Sequence, residues 1–112
     1  MNRALIEQEL AAAEAASKDG NEGKARVCAR RAVALATGAW LTRHSELTWR
    51  GDAMEHLRRI QQEASFPLPI RQAAERLTTT VSRREVDPFT TDPVADARVI
   101  VEYLTANTEE KT

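Results

Sequence analysis

Residues 21–44 read NEGKARVCARRAVALATGAWLTRH, and this stretch decides the fold. Small and apolar side chains recur in it at spacings of three and four residues, which places them on one side of a helix. They are Ala25, Cys28, Ala29, Ala32, Leu35, Ala36, Ala39 and Trp40. A second apolar line, at seven-residue spacing, consists of Val27, Ala34 and Leu41. A helix that is apolar over most of its circumference is typical of the buried centre of a bundle, so we expect other helices to wrap around this one.

A short break connects this helix to the one before it. Periodic apolar residues predict a helix over residues 2–18, and Asp19-Gly20-Asn21 follows it. Gly20 suits the end of a helix, and Asn21 suits the N-cap of the next one. Because so short a connection leaves two helices as antiparallel neighbours, we expect the chain to begin with a helical hairpin.

The rest of the chain carries three more helical patterns. They cover residues 52–64, residues 69–81 and residues 94–105, with Asp52 and Asp92 as the expected N-caps of the first and the last. No strand pattern or internal repeat competes with this interpretation. The sequence therefore predicts an all-α fold, an up-and-down bundle of about five helices.

The length and composition fit one small domain. The chain has 112 residues, of which 42% are hydrophobic, and we assign residues 1–106 to the domain and residues 107–112 to a polar tail. No apolar run approaches the roughly 20 residues of a membrane helix. The acidic N-terminal segment has no apolar core of a signal peptide. The single cysteine, Cys28, cannot form an internal disulfide, so these features together favour the cytoplasm and no membrane partner.

Charge is unevenly distributed along the chain. Residues 22–84 hold 12 Lys and Arg against 6 Asp and Glu, whereas the two ends together hold 4 against 11. In a folded bundle the basic middle and the acidic ends can neutralise each other. If they do not, the middle offers a basic face to an anionic partner such as RNA or a nucleotide.

The common sequence motifs of enzyme chemistry are absent. The chain has no glycine-rich phosphate loop, no CxxC, no HExxH and no GxSxG. Two histidines and one cysteine do not supply a zinc site within one chain, so we expect no metal and no cofactor. Cys28 fits a small buried apolar residue, and the nearby Lys24 and Arg31 leave a reactive thiol as the alternative.

Arg50 and His56 are the catalytic candidates. Arg50 precedes the predicted N-cap Asp52, and His56 lies in the second turn of that helix, so the two could converge on a phosphate. Arg50 would hold the charge, and His56 would transfer protons. The alternative is structural: Arg50 is solvated, and His56 lies at the rim of the helix near Glu55 or Arg59.

A second group of candidates could bind anions without chemistry. Six arginines recur through the third and fourth predicted helices and beyond: Arg58, Arg59, Arg71, Arg76, Arg83 and Arg84. They either line one basic surface or lie separately on polar helix faces, where arginine usually lies. Trp40 and Trp49 flank the break after the central helix. They are either core residues at one end of the bundle or a platform on which bases stack.

The order of these features resembles the HEPN superfamily of prokaryotic helical domains. In that family a first helix leads through a short glycine-containing turn into a long alanine-rich helix, as in residues 19–32 here. His56-Leu57 corresponds to a His-x-Leu-like element that opens the next helix, and Ala74-Glu75-Arg76-Leu77 to a later Ala-x-x-Leu-like pattern. The last helix with its Asp-Pro cap matches residues 92–104. The resemblance covers most of residues 2–105.

This resemblance implies an up-and-down bundle of four or five helices that forms a homodimer. Many members act in toxin–antitoxin or other defence systems; some are metal-independent RNases, and others are non-catalytic binding domains. The RNases carry an arginine and a histidine separated by four to six residues near the last helix. Here Arg83 and Arg84 lie near that position, but no histidine follows His56. Arg50 and His56 satisfy the spacing at an earlier position.

The functional prediction is therefore a HEPN-like, non-catalytic helical domain that homodimerises. Its expected ligand is a protein partner, for example a nucleotidyltransferase-like antitoxin, or an anion of nucleotide type. One alternative is a metal-independent RNase that uses Arg50 and His56. Another alternative is nucleic-acid binding through the arginines, without catalysis.

Overall fold

The described part of the chain forms a bundle of five α-helices. The computed structural model describes residues 3–44, 49–78 and 92–109. The helices are α1 (Arg3–Lys18), α2 (Glu22–Thr42), α3 (Ala53–Gln62), α4 (Leu68–Thr78) and α5 (Pro93–Glu109). Within these described ranges there is no strand, and the predicted all-α helical bundle is confirmed.

Three side-chain caps fix where helices begin. They are Asn21, Asp52 and Asp92, and in each case a side-chain oxygen accepts a hydrogen bond at 3.1 Å from the backbone N–H three residues later. Each bond satisfies a donor that the first turn of a helix leaves without a partner. Gly20 ends α1 with φ +79°, the left-handed conformation that glycine adopts without strain. All four residues lie where the sequence predicts them.

The observed helix limits differ most from the predicted ones in α5. This helix continues to Glu109, four residues beyond its predicted end, so residues 107–109 of the predicted polar tail are helical. Neither glycine nor proline occurs in residues 106–109 to end the helix earlier. Residues 110–112 of the tail and residues 79–81 of the predicted fourth helix lie outside the described residues.

α2 is the central helix, because α1, α3 and α5 all pack against it. Most of its predicted apolar stripe is buried: Ala25, Cys28, Ala29, Ala32, Ala36 and Trp40. Large apolar side chains of the other helices complete the core: Ile6, Leu10, Leu57, Ile60, Leu77, Ile100 and Leu104. The small side chains of α2 therefore meet larger ones from its neighbours, and the two sets fill the core together.

Helices pack around α2 as predicted, but its second apolar line is less buried than expected. Val27 is 43% exposed, and Ala34 and Leu41 are only partly buried. Leu35, which the first stripe includes, is 37% exposed. Among the described residues, the neighbouring helices pack mainly on the opposite side of α2, so the second apolar line stays partly exposed.

An aromatic cluster closes the C-terminal end of α2. The ring of Trp40 stacks on His44 with 4.2 Å between centroids, and it meets Trp49 at 5.4 Å and Phe66 at 5.3 Å. Tyr103 of α5 contacts Phe66 at 5.5 Å. Trp40 is only 6% exposed, so it is a core residue at one end of the bundle, and Trp49 beside it is half-buried. Ring packing of this kind leaves the faces of Trp40 unavailable for stacking on a base.

Candidate functional site

The turn that opens α3 carries both predicted catalytic residues. Arg50 lies before the helix, followed by Gly51 with φ +113° and by the N-cap Asp52. A side chain at position 51 would lie 2.7 Å from the Cβ and Cγ of Glu55, so this turn requires glycine. The backbone N–H of His56 donates to the carbonyl of Asp52 at 3.1 Å, the first hydrogen bond of the helix.

The imidazole of His56 is half-buried, and its Nδ1 is packed away from solvent. This atom has no hydrogen-bond partner within the described part of the chain. Burial lowers the pKa of His56, and the carboxylates of Asp52 and Glu55 counteract that effect only in part. The ring is therefore favoured in its neutral form. A catalytic histidine is normally oriented by a group that bonds its second ring nitrogen, and no described residue does this for His56.

Arg50 and His56 both lie at the start of α3, but their surroundings differ. Arg50 is exposed, whereas His56 is half-buried. No hydrogen bond or ion pair joins the two side chains in the described ranges. The structure thus places the pair at one helix start without a bond between them.

The predicted anion-binding arginines also differ in their surroundings. Arg58 pairs with Glu55 at 3.1 Å on the surface of α3. Arg71 donates from Nε to the carbonyl of Phe66 at 3.0 Å, which ties α4 to the connection before it. Arg59 is exposed and makes no ion pair with any described residue. The two remaining arginines after α4 lie outside the described residues: Arg83 and Arg84.

Arg76 forms a bidentate ion pair with Asp96 and so joins α4 to α5. Its Nη2 lies 2.9 Å from Oδ1 of Asp96, and its Nε lies 3.0 Å from Oδ1 and 3.2 Å from Oδ2. Asp96 is 7% exposed, so this carboxylate depends on Arg76 for much of its hydrogen bonding. The hydrogen bond to Asp96 raises the pKa of Arg76. One basic residue of the middle is thereby neutralised by an acidic residue of the C-terminal part.

Two arginines of α2 hold the C-terminal end of α4, a role that the sequence analysis missed. Arg30 donates from Nε to the carbonyl of Leu77 at 2.7 Å, and Arg26 donates from Nη1 to the carbonyl of Arg76 at 3.3 Å. The last carbonyls of a helix lack partners within it and carry partial negative charge, so a guanidinium suits them. Burial and the nearby Arg26 lower the pKa of Arg30. No local spacing could have revealed these contacts, because the partners lie 47 and 50 residues apart.

A surface pocket of about 470 Å³ lies between the end of α1 and the start of α5. Its charged lining residues have both signs: Glu14, Lys18, Asp92 and Arg98. Glu14 and Arg98 pair with each other at 3.5 Å. None of the predicted site residues lines this pocket, and its mixed charges favour no single class of ligand.

Two further features of the described ranges concern metals and membranes. Among residues 3–44, 49–78 and 92–109, no three His, Cys, Asp or Glu side chains are grouped to hold a metal ion. The helices of the same ranges are each too short or too polar to cross a membrane.

Comparison with known proteins gives no match. No protein-family model fits the chain, and neither a characterised protein nor a solved structure matches it. The resemblance to the HEPN superfamily therefore stays a prediction.

Proposed function

We propose that this chain is a non-catalytic, HEPN-like helical module that forms a homodimer and binds a protein partner or an anion of nucleotide type. The packing of His56 is the observation that carries this proposal. Its Nδ1 is enclosed without a hydrogen-bond partner among the described residues, and Arg50 beside it is exposed without a bond to it. This arrangement supports binding and assembly more than it supports proton transfer.

The physical reason lies in what acid–base catalysis requires of a histidine. The ring must accept a proton and later release it, with its second nitrogen held by an orienting group. Protonation of His56 would place a charge in half-buried surroundings and an N–H at Nδ1 without an acceptor. His56 therefore fits the role of a side chain that packs α3 against the bundle.

Of the predicted site arginines within the described residues, those that remain available for a ligand lie at α3. Arg50 and Arg59 are exposed, and neither makes an ion pair with a described residue. By contrast, Arg71 and Arg76 are bound to other parts of the fold. In this proposal Arg50 and Arg59 contact the acidic side chains of a protein partner, such as a nucleotidyltransferase-like antitoxin, or the phosphate of a nucleotide. The proposed setting is a cytoplasmic toxin–antitoxin or other defence system.

A nuclease assay tests the non-catalytic part of this proposal. The purified chain and its His56→Ala and Arg50→Ala variants are incubated with single-stranded RNA in the presence of a chelator. We expect intact RNA with all three proteins, each shown to be folded by circular dichroism. Cleavage by the unaltered chain that both substitutions abolish would overturn the proposal and establish a metal-independent RNase.

A titration with adenosine monophosphate tests anion binding. Chemical shifts of the backbone amides are followed in the unaltered chain and in the Arg59→Gln and Arg58→Gln variants. Arg58 is the matched control, because its guanidinium is already paired with Glu55. We expect Arg59→Gln to weaken binding several-fold and Arg58→Gln to leave it nearly unchanged. Equal affinities in all three proteins would exclude Arg59 from the site.

Nucleic-acid binding without catalysis is the second candidate, favoured by the same exposed Arg50 and Arg59. Contacts to phosphates release counterions, so the affinity for RNA would fall steeply as salt concentration rises. Fluorescence anisotropy with a labelled RNA at increasing salt concentrations measures this dependence. No binding at low salt would remove this candidate and leave the protein-partner proposal in place.

A further inference from the structure

One side of α2 carries exposed apolar residues and is not covered by any other described helix. Val27 and Leu35 are 43% and 37% exposed, and Gly38 is exposed as well. Residues nine positions apart lie on opposite sides of an α-helix. Val27 is thus opposite the buried Ala36, and Gly38 is opposite the buried Ala29. This side of α2 points directly away from the core.

α1 extends this side into a surface made of two helices. Glu14 pairs with Arg98, so the side of α1 that carries Glu14 faces α5. Leu5 lies nine positions before Glu14, on the opposite side, and is 42% exposed. Ala12 shares the side of Leu5 and is half-buried. The exposed side of the α1–α2 hairpin, termed the outer face below, carries Leu5, Ala12, Val27, Ala34, Leu35 and Gly38.

The outer face also carries two charges of opposite sign. Arg31 is exposed within it, four residues after Val27 and four before Leu35, and Glu9 of α1 is half-buried at its edge. Neither makes an ion pair within the described residues. Each lies eleven residues from Gly20 in the connection, so both lie at the same level of the antiparallel hairpin. Leu5 and Leu35 are each fifteen residues from Gly20, so they also lie at equal heights along the hairpin.

Two copies of the chain can pack with their outer faces together when they are related by a twofold axis parallel to the helices of the hairpin. Each α1 then faces the α2 of the other copy, as in an antiparallel four-helix bundle. Glu9 of each copy meets Arg31 of the other at one level, and Leu5 meets Leu35 at the next. Ala34 and Gly38 carry little or no side chain, which allows the helices of the two copies to approach closely.

We infer that the outer face is occupied by a second copy of this chain. This inference rests on the proposed homodimer and adds the surface that forms it. A 16-residue helix is about 24 Å long and two adjacent helices are about 20 Å wide, so the face covers about 500 Å². Two such faces bury about 1,000 Å², the size at which specific interfaces begin.

Analytical ultracentrifugation of the full chain over a range of concentrations tests this inference. We compare Val27→Glu with Val99→Glu, a matched control on α5, because Val27 and Val99 are 43% and 42% exposed. We expect the unaltered chain and Val99→Glu to dimerise alike. Val27→Glu is expected to raise the dimer dissociation constant at least tenfold, because it places a charged carboxylate between the apolar surfaces of the two copies. Circular dichroism checks that both variants keep their helices.

A charge exchange tests the pairing within the interface. Glu9→Arg and Arg31→Glu are each expected to weaken the dimer, and the double variant to restore it, because the pair re-forms with reversed signs. A double variant weaker than either single variant would overturn the twofold arrangement.

The remaining outcomes separate the outer face from the homodimer itself. A dimer that Val27→Glu leaves unchanged would overturn the assignment of the outer face and would leave the proposed homodimer standing. A chain that stays monomeric at all concentrations with its helices intact would overturn both.

Discussion

The two ends of α2 are held by contacts of different kinds. At the C-terminal end, Trp40 packs against Trp49 and Phe66 with ring centroids 5.4 and 5.3 Å away. In the N-terminal half, Arg26 and Arg30 donate hydrogen bonds to main-chain carbonyls at the end of α4. One end depends on buried apolar area, and the other depends on directed polar bonds.

This difference decides how much change each end tolerates. The packing of rings is spread over many weak contacts, so small shifts of one ring cost little. A hydrogen bond weakens steeply outside a narrow range of distance and angle. We therefore expect the aromatic end to lose the most stability when a whole ring is removed. The stability of the other end, held by Arg26 and Arg30 and termed the arginine end below, should be sensitive to the loss of single polar groups.

The largest expected effect is that of Trp40→Ala. This substitution removes the ring at the centre of the aromatic cluster and should lower the free energy of unfolding by about 3–5 kcal/mol. Urea denaturation followed by circular dichroism measures the loss. Trp49→Ala is the control, because Trp49 is only half-buried and should cost clearly less. Equal losses for the two variants would contradict the central place of Trp40.

The next effect concerns Arg76 and Asp96. Arg76→Ala leaves the carboxylate of Asp96, which is 7% exposed, without its partner, and should cost about 2–3 kcal/mol. Asp96→Ala should cost less, because the Arg76 side chain is already 35% exposed and can turn towards solvent. Urea denaturation of both single variants and the double variant gives the coupling energy. A larger loss of stability for Asp96→Ala than for Arg76→Ala would contradict the explanation that the unpaired carboxylate of Asp96 causes the cost.

A smaller effect is expected from Arg30→Gln, in the N-terminal half of α2. The Nε–H donor to the Leu77 carbonyl is lost, which should lower the free energy of unfolding by about 1–1.5 kcal/mol. Arg59→Gln is the matched control, since Arg59 is exposed without an ion pair among the described residues, and should change it by less than about 0.5 kcal/mol. Thermal and urea unfolding of both variants provide the measurement. Indistinguishable stabilities would mean that the bond to α4 adds nothing.

The smallest expected effect comes from His56, whose Nδ1 is buried without a hydrogen bond to any described residue. Its pKa is lowered in the folded chain, so between that value and the ordinary value of 6.5 the unfolded chain binds more protons than the folded chain does. The stability due to neutral His56 is therefore complete above about pH 6.5 and decreases as the pH falls below it.

Urea midpoints at several pH values measure this dependence in the unaltered chain and in His56→Gln. The variant should lose less stability on acidification than the unaltered chain. Every other residue is the same in both proteins, so the difference between them reports on position 56 alone. The same pH dependence in both would show that His56 is not desolvated.

Local features of the fold could be predicted from the sequence. Asn21, Asp52 and Asp92 are N-caps that bond to the N–H three residues ahead, so the residues that form each cap are neighbours in the chain. The buried stripe of α2 could be predicted for the same reason, since helical periodicity alone places its residues on one side.

Contacts between distant segments could not be predicted. Asp96 looks like an ordinary acidic residue of a first helical turn, and only the approach of α4 buries it against Arg76. Periodicity shows that Val27 could be buried, but the number of helices beside α2 determines that it is not. Arg50 and His56 were found from their spacing, whereas the enclosure of Nδ1 depends on what packs around α3.

The unfolding of the aromatic cluster can be followed by its tryptophan fluorescence. The chain has two tryptophans, and both lie at the C-terminal end of α2, so indole fluorescence comes from that end alone. Circular dichroism, by contrast, sums the signal of all the helices. If the fluorescence and circular dichroism signals change together, the aromatic and arginine ends unfold as one cooperative unit. If fluorescence changes only after helicity has begun to fall, the ring cluster is the last part of the bundle to come apart.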